Sequence, residues 1–138
     1  MQPEYLHEGR FLKILWDKKT RIIGVEWKEA TSAMTSEEFK AALTLFAGHV
    51  EQKKALGIVV DVSNFRHKPD PETYPWRLKN ISTRYSAAGV KRFAFLFPPG
   101  PPIPPMQSSP EETFLTRAFD DIQQAEDWLT KAAGRANT

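Results

Sequence analysis

Residues 58–62, Ile58-Val59-Val60-Asp61-Val62, constrain this chain more than any other stretch. A nearly unbroken β-branched run suits a strand covered on both faces, which places it inside a sheet with other layers packed on it. What precedes it reads as helix. Thr35, with Glu38 three residues on, forms a capping box, and Phe39, Ala42, Leu43, Phe46 and Val50 recur at spacings of three and four on one stripe. Lys53 and Lys54 suit the negative end of that helix dipole, and Gly57 is expected to stop the helix. A helix that runs directly into a buried strand is half of a strand–helix–strand unit, which implies right-handed crossovers and a mixed sheet with helices packed on it.

The remaining elements follow from the same periodicities. Phe11–Trp16 and Arg21–Trp27 are rich in β-formers and are separated by the polar turn Asp17-Lys18-Lys19-Thr20, which predicts a β-hairpin opening the fold. Downstream, Leu78, Ile81, Tyr85 and Ala88 form a helical stripe ended by Gly89. Pro75 disfavours the α region at Tyr74, so regular helix is expected from about Pro75. Phe93–Phe97 reads as a second core strand. Leu115–Phe119 reads as a short strand, although Ser109-Pro110-Glu111-Glu112 resembles a helix start. Ile122, Ala125, Trp128, Leu129 and Ala132 then predict a final amphipathic helix closed by Gly134. The fold class is therefore α/β (α+β): one domain over residues 1–138, core about 11–133, with a mixed sheet of about five strands and three main helices.

Composition removes several chemistries. With 138 residues the chain is the size of one domain, and 41% hydrophobic against 26% charged residues is a globular balance. No cysteine is present, which excludes disulfides, thiolate metal sites, iron–sulfur clusters and cysteine nucleophiles. A formal charge of +2 is far from the basic stripe of a nucleic-acid binder, so no nucleic-acid partner is expected. Met1–Arg10 is polar and carries no apolar run, and a cytoplasmic location is the expectation. No phosphate-binding glycine loop, nucleophile elbow or metal-binding histidine pair occurs, so neither a cofactor nor a metal is expected.

In open α/β sheets ligands bind beyond the carboxyl ends of parallel strands, and two loops leave such ends here. The first, Ser63–Tyr74, brings Phe65, Arg66, His67, Lys68 and Tyr74, with Trp76 just beyond. The second, Pro98–Ser109, holds six of the 11 prolines within Pro98–Pro105. It reads as a stiff lid, a docking segment or a plain spacer. Phe65, Arg66, Lys68, Tyr74, Trp76, Pro99 and Ile103 are the candidate ligand-binding residues, with Arg66 and Lys68 facing an anionic head. Asp61, Ser63 and His67 are the side chains an enzyme would have to use, while Ser63 and Asn64 otherwise cap the loop backbone.

The chain resembles the SpoIIAA-like family, bacterial domains related to the STAS anti-sigma-antagonist fold and to CRAL-TRIO lipid carriers. The resemblance spans Phe11 to Leu129. It rests on the opening hairpin, on Ile58-Val59-Val60-Asp61-Val62-Ser63, on Gly89-Val90-Lys91-Arg92-Phe93-Ala94, and on Ala118-Phe119-Asp120 followed by Ala125 and Trp128-Leu129. It implies a STAS-like fold and a small apolar or amphipathic, lipid-like ligand, with peripheral membrane contact and a homodimer left open. Antagonist STAS domains carry Asp-Ser-Ser-Gly after this strand; Asp61-Val62-Ser63-Asn64 stands there instead. The alternative functions are a protein-interaction regulator without the phosphorylation motif and an enzyme of unknown reaction.

Overall fold

The computed structural model describes residues 3–103 and 112–135, with side chains described through residue 131. One six-stranded sheet carries the fold, its strands lying side by side in chain order: β1 (Glu4–Glu8), β2 (Leu12–Asp17), β3 (Ile22–Trp27), β4 (Gly57–Asp61), β5 (Arg92–Leu96) and β6 (Leu115–Phe119). β1, β2 and β3 pair antiparallel, and β3 to β6 pair parallel. The mixed α/β sheet and the Leu115–Phe119 strand agree with the sequence reading. The strand count does not, because Glu4–Glu8 adds a sixth strand ahead of the hairpin. Its residues alternate only weakly and stay mostly exposed at the sheet edge, and the register shifts between Tyr5 and His7. Such an edge has little hydrophobic pattern to betray it.

Helices cover both faces unequally. α1 (Ser36–Lys53) lies on one face with α2 (Thr73–Arg77) and α3 (Thr83–Ala88); α4 (Ile122–Arg135) lies on the other. The capping box forms as read, with Thr35 Oγ1 accepting from the Glu38 N–H at 3.1 Å and Glu38 Oε1 accepting from the Thr35 N–H at 3.0 Å. The helix stop differs. Lys54, not Gly57, takes the left-handed conformation (φ 53°), while Gly57 is the first residue of β4. Its missing side chain has a packing cause: a Cβ there would stand 3.2 Å from Leu129 Cδ2. α4 likewise continues through Gly134 to Arg135.

The segment from Thr73 to Ala88 also departs from expectation. Helix begins at Thr73 and includes Tyr74, because Pro75 lies in the first turn, where its missing N–H would have no helical partner anyway. Between α2 and α3 the backbone makes a π turn over Leu78–Ser82. Gly89 ends the segment with φ 97°, as the sequence indicates.

Candidate functional site

The larger core lies on the α1 face, and it is not filled. A cavity of about 470 Å³ opens there, at the carboxyl ends of β3, β4 and β5. Period-two alternation aims Val25 and Trp27, Val60 and Val62, and Phe93 and Phe95 at it. α1 contributes Phe39, Leu43 and Phe46 from its apolar stripe. The loop after β4 closes over the top with Phe65, Pro69, Asp70 and Pro71, and the helical segment beyond supplies Thr73, Tyr74, Arg77 and Tyr85.

The loop is tied down at several points. Asp61 Oδ1 accepts from the Ser63 N–H at 2.9 Å, so Asp61, rather than Ser63 or Asn64, makes the side-chain cap. The Arg66 N–H donates to Thr31 Oγ1 at 2.8 Å, and Arg66 Nη1 donates to the Ser63 carbonyl at 3.0 Å. Ser36 Oγ donates to Asp70 Oδ2 at 2.5 Å, which pins the far end of the loop to the start of α1.

Two ring clusters flank the opening. Trp27, Phe39 and Phe65 pack together with centroids 5.1–5.6 Å apart, and His67 lies 5.0 Å from Phe39. Phe46, Tyr85, Phe93 and Phe95 form the second cluster through centroid distances of 4.9–6.0 Å. Among the described residues no ring contact joins the two clusters. The first stands over β3 and the second over β5, two strand spacings or about 10 Å away. Between them β4 and the residue just after it present only Val60 and Val62 to the cavity.

Polar groups at the cavity are few. Tyr85 is buried (4% exposed), and its hydroxyl has no hydrogen-bond partner among the described residues. Burial pushes that phenol well above its ordinary pKa, against the opposing pull of Arg77 and Arg84. Arg77 stacks over the Tyr74 ring at 5.4 Å and makes no ion pair among the described residues. The π turn explains how both reach one space. Residues eight apart in regular α-helix are about 80° out of phase; one extra residue in a turn lowers this to about 20°.

The seven residues expected from sequence divide unevenly. Phe65 and Tyr74 line the cavity; Arg66, Lys68, Trp76, Pro99 and Ile103 do not. Arg66 is occupied in shaping the loop, and Lys68 is exposed. Trp76 packs against the core with the Lys40 ammonium 5.5 Å from its ring. Pro99 and Ile103 are exposed, and no described residue of the proline loop lines the cavity; α1 and the Thr73–Ala88 segment wall it instead. Pro104–Ser109 lie outside the described residues. The cavity-lining residues not singled out from sequence, chiefly Phe39, Leu43, Phe46, Phe93, Phe95 and Arg77, carried only the signal of ordinary helix stripes and a core strand. Asp61 borders the groove on the α4 face, whereas His67 lies against Phe39 on the α1 face, so Asp61, Ser63 and His67 share no site. No cluster of potential metal ligands exists among the described residues.

Compared with protein-family models, curated proteins and solved structures, the chain matches none.

Proposed function

We propose that this protein is a binding module for a small apolar ligand, held between the sheet and α1 beneath the loop that follows β4. The observation that carries the reading is the cavity: about 470 Å³, walled mostly by apolar and aromatic side chains, with Asp70, Thr73, Arg77 and Tyr85 as its few polar groups. That size and lining suit a small organic molecule, and the position beyond the carboxyl ends of parallel strands is where α/β sheets bind ligands. The resemblance to SpoIIAA-like domains, with the STAS-like fold it implies, and the cytoplasmic location expected from the polar N-terminus belong to the same proposal. No helix among the described residues is long and apolar enough to cross a membrane.

Native mass spectrometry of gently purified protein, with titration by an apolar fluorescent dye, tests the reading. Wild-type protein is expected to carry a small molecule or bind the dye stoichiometrically, and Leu43→Trp, which fills the cavity from α1, is expected to bind neither. Equal dye binding by both, with both folded, refutes the site. A second reading, contact of the rim with a lipid surface, draws on Tyr74, 50% exposed beside Arg77. Sedimentation with anionic vesicles tests it; absence of Tyr74-dependent binding removes it.

A further inference from the structure

The two aromatic walls specify more than apolarity. A site for a flexible alkyl chain needs only apolar surface, and aliphatic side chains supply it. Here eight of the residues facing the cavity are aromatic: Trp27, Phe39 and Phe65 on the β3 side, Phe46, Tyr85, Phe93 and Phe95 on the β5 side, and Tyr74 at the mouth. Within each wall the rings meet in tilted or edge-on pairs, and across the valine floor they do not meet. Each wall therefore ends in rings that lack a partner on the cavity side. A planar ring system between them makes ring contacts with both walls, each adding to what area burial provides.

The polar groups specify the substituent. The Tyr85 hydroxyl, which has no hydrogen-bond partner among the described residues, stays protonated because burial of the side chain disfavours the phenolate, and so donates to an acceptor. Among the described residues no carboxylate pairs with the Arg77 guanidinium, and stacking on Tyr74 leaves its N–H edge available for a bidentate contact. The other charged group at the rim, Asp70, is already engaged by Ser36.

Resting on the binding-module reading above, we propose that the ligand is a planar aromatic acid, its ring system between the two aromatic walls and its carboxylate on Arg77 and the Tyr85 hydroxyl.

Isothermal titration with three probes separates the parts of this proposal: naphthoate, the saturated straight-chain acid of equal carbon number, and the neutral naphthalene-methanol. Naphthoate is expected to bind about tenfold more tightly than the straight-chain acid. Arg77→Gln is expected to weaken naphthoate about tenfold and leave the neutral alcohol unchanged. Tyr85→Phe is expected to weaken both, since it removes a donor common to the two. Circular dichroism of each variant confirms that it is folded. Equal or tighter binding of the straight-chain acid overturns the aromatic specificity while the binding-module reading stands. Unchanged naphthoate affinity in a folded Arg77→Gln overturns the anion anchor. Failure of all three probes, and of the apolar dye, overturns the binding module itself.

Discussion

Two leucine truncations on opposite faces of the sheet test whether the cavity exists in solution. Leu129 is 1% exposed and sits on the α4 face among Ile22, Val59, Ala94, Phe119 and Ala125. Packing there is tight, since even a Cβ on Gly57 would press on Leu129. Leu129→Ala deletes three carbons worth about 0.8 kcal/mol each on transfer and leaves a hole, so the loss should be about 3–4 kcal/mol. Leu43 is also scarcely exposed (9%), but one side of it faces the cavity. Leu43→Ala only widens a space already present and loses contacts on the α1 side alone, which predicts a loss of about 1–2 kcal/mol. Urea unfolding of both variants measures the difference as shifts in midpoint at unchanged slope. A Leu43→Ala loss as large as that of Leu129→Ala means that α1 is closely packed on the sheet, and the cavity argument fails.

Three further outcomes follow from single residues. The pKa of Tyr85 is raised in the folded state by burial, so its contribution is complete below the unfolded-state value of about 10 and declines as pH rises toward the folded value. Urea midpoints between pH 8 and 11 should therefore fall more steeply for wild type than for Tyr85→Phe; parallel curves refute the burial. Gly89 has φ 97° with nothing within 4 Å of an added Cβ, so Gly89→Ala pays only for backbone handedness, about 1–2 kcal/mol by urea unfolding. No loss would show that the α3 terminus relaxes. His67 Nε2 is buried without a partner while its ring packs on Phe39, so His67→Phe keeps the packing and removes the orphan; it should raise stability by about 1 kcal/mol, and a comparable drop contradicts the assignment.

The elements that were legible in the sequence are those whose pattern is enforced by burial on a fixed period. α1 shows its capping box and stripe, and β4 shows an unbroken apolar run because both its faces are covered. β1 leaves little trace in the sequence because an exposed edge imposes no alternation, and Tyr74 is helical against the bias of a residue before proline because the first turn has no N–H to lose. The π turn leaves no mark at all. Leu78, Ile81 and Tyr85 read as one stripe with or without it, yet it decides that Arg77 faces the same space as Tyr85.

The candidate site was half legible for a related reason. Loop position after a parallel strand led to Phe65 and Tyr74, but a hydrophobic stripe reports only that a side chain points inward, not that its neighbours reach it. Phe39, Leu43, Phe46, Phe93 and Phe95 are therefore indistinguishable in sequence from close-packed core. What keeps the space open is the character of the rings. A methionine bends into an irregular gap, whereas phenylalanine, tyrosine and tryptophan are rigid planes with two rotatable bonds. Held over β3 and β5 by their own mutual contacts, the two clusters do not collapse onto Val60 and Val62, whose side chains are too short to fill the interval. An enlarged residue on β4 should close the gap from below: Val60→Phe is expected to stabilise the fold while abolishing dye binding, the opposing signs that mark a cavity kept for a ligand.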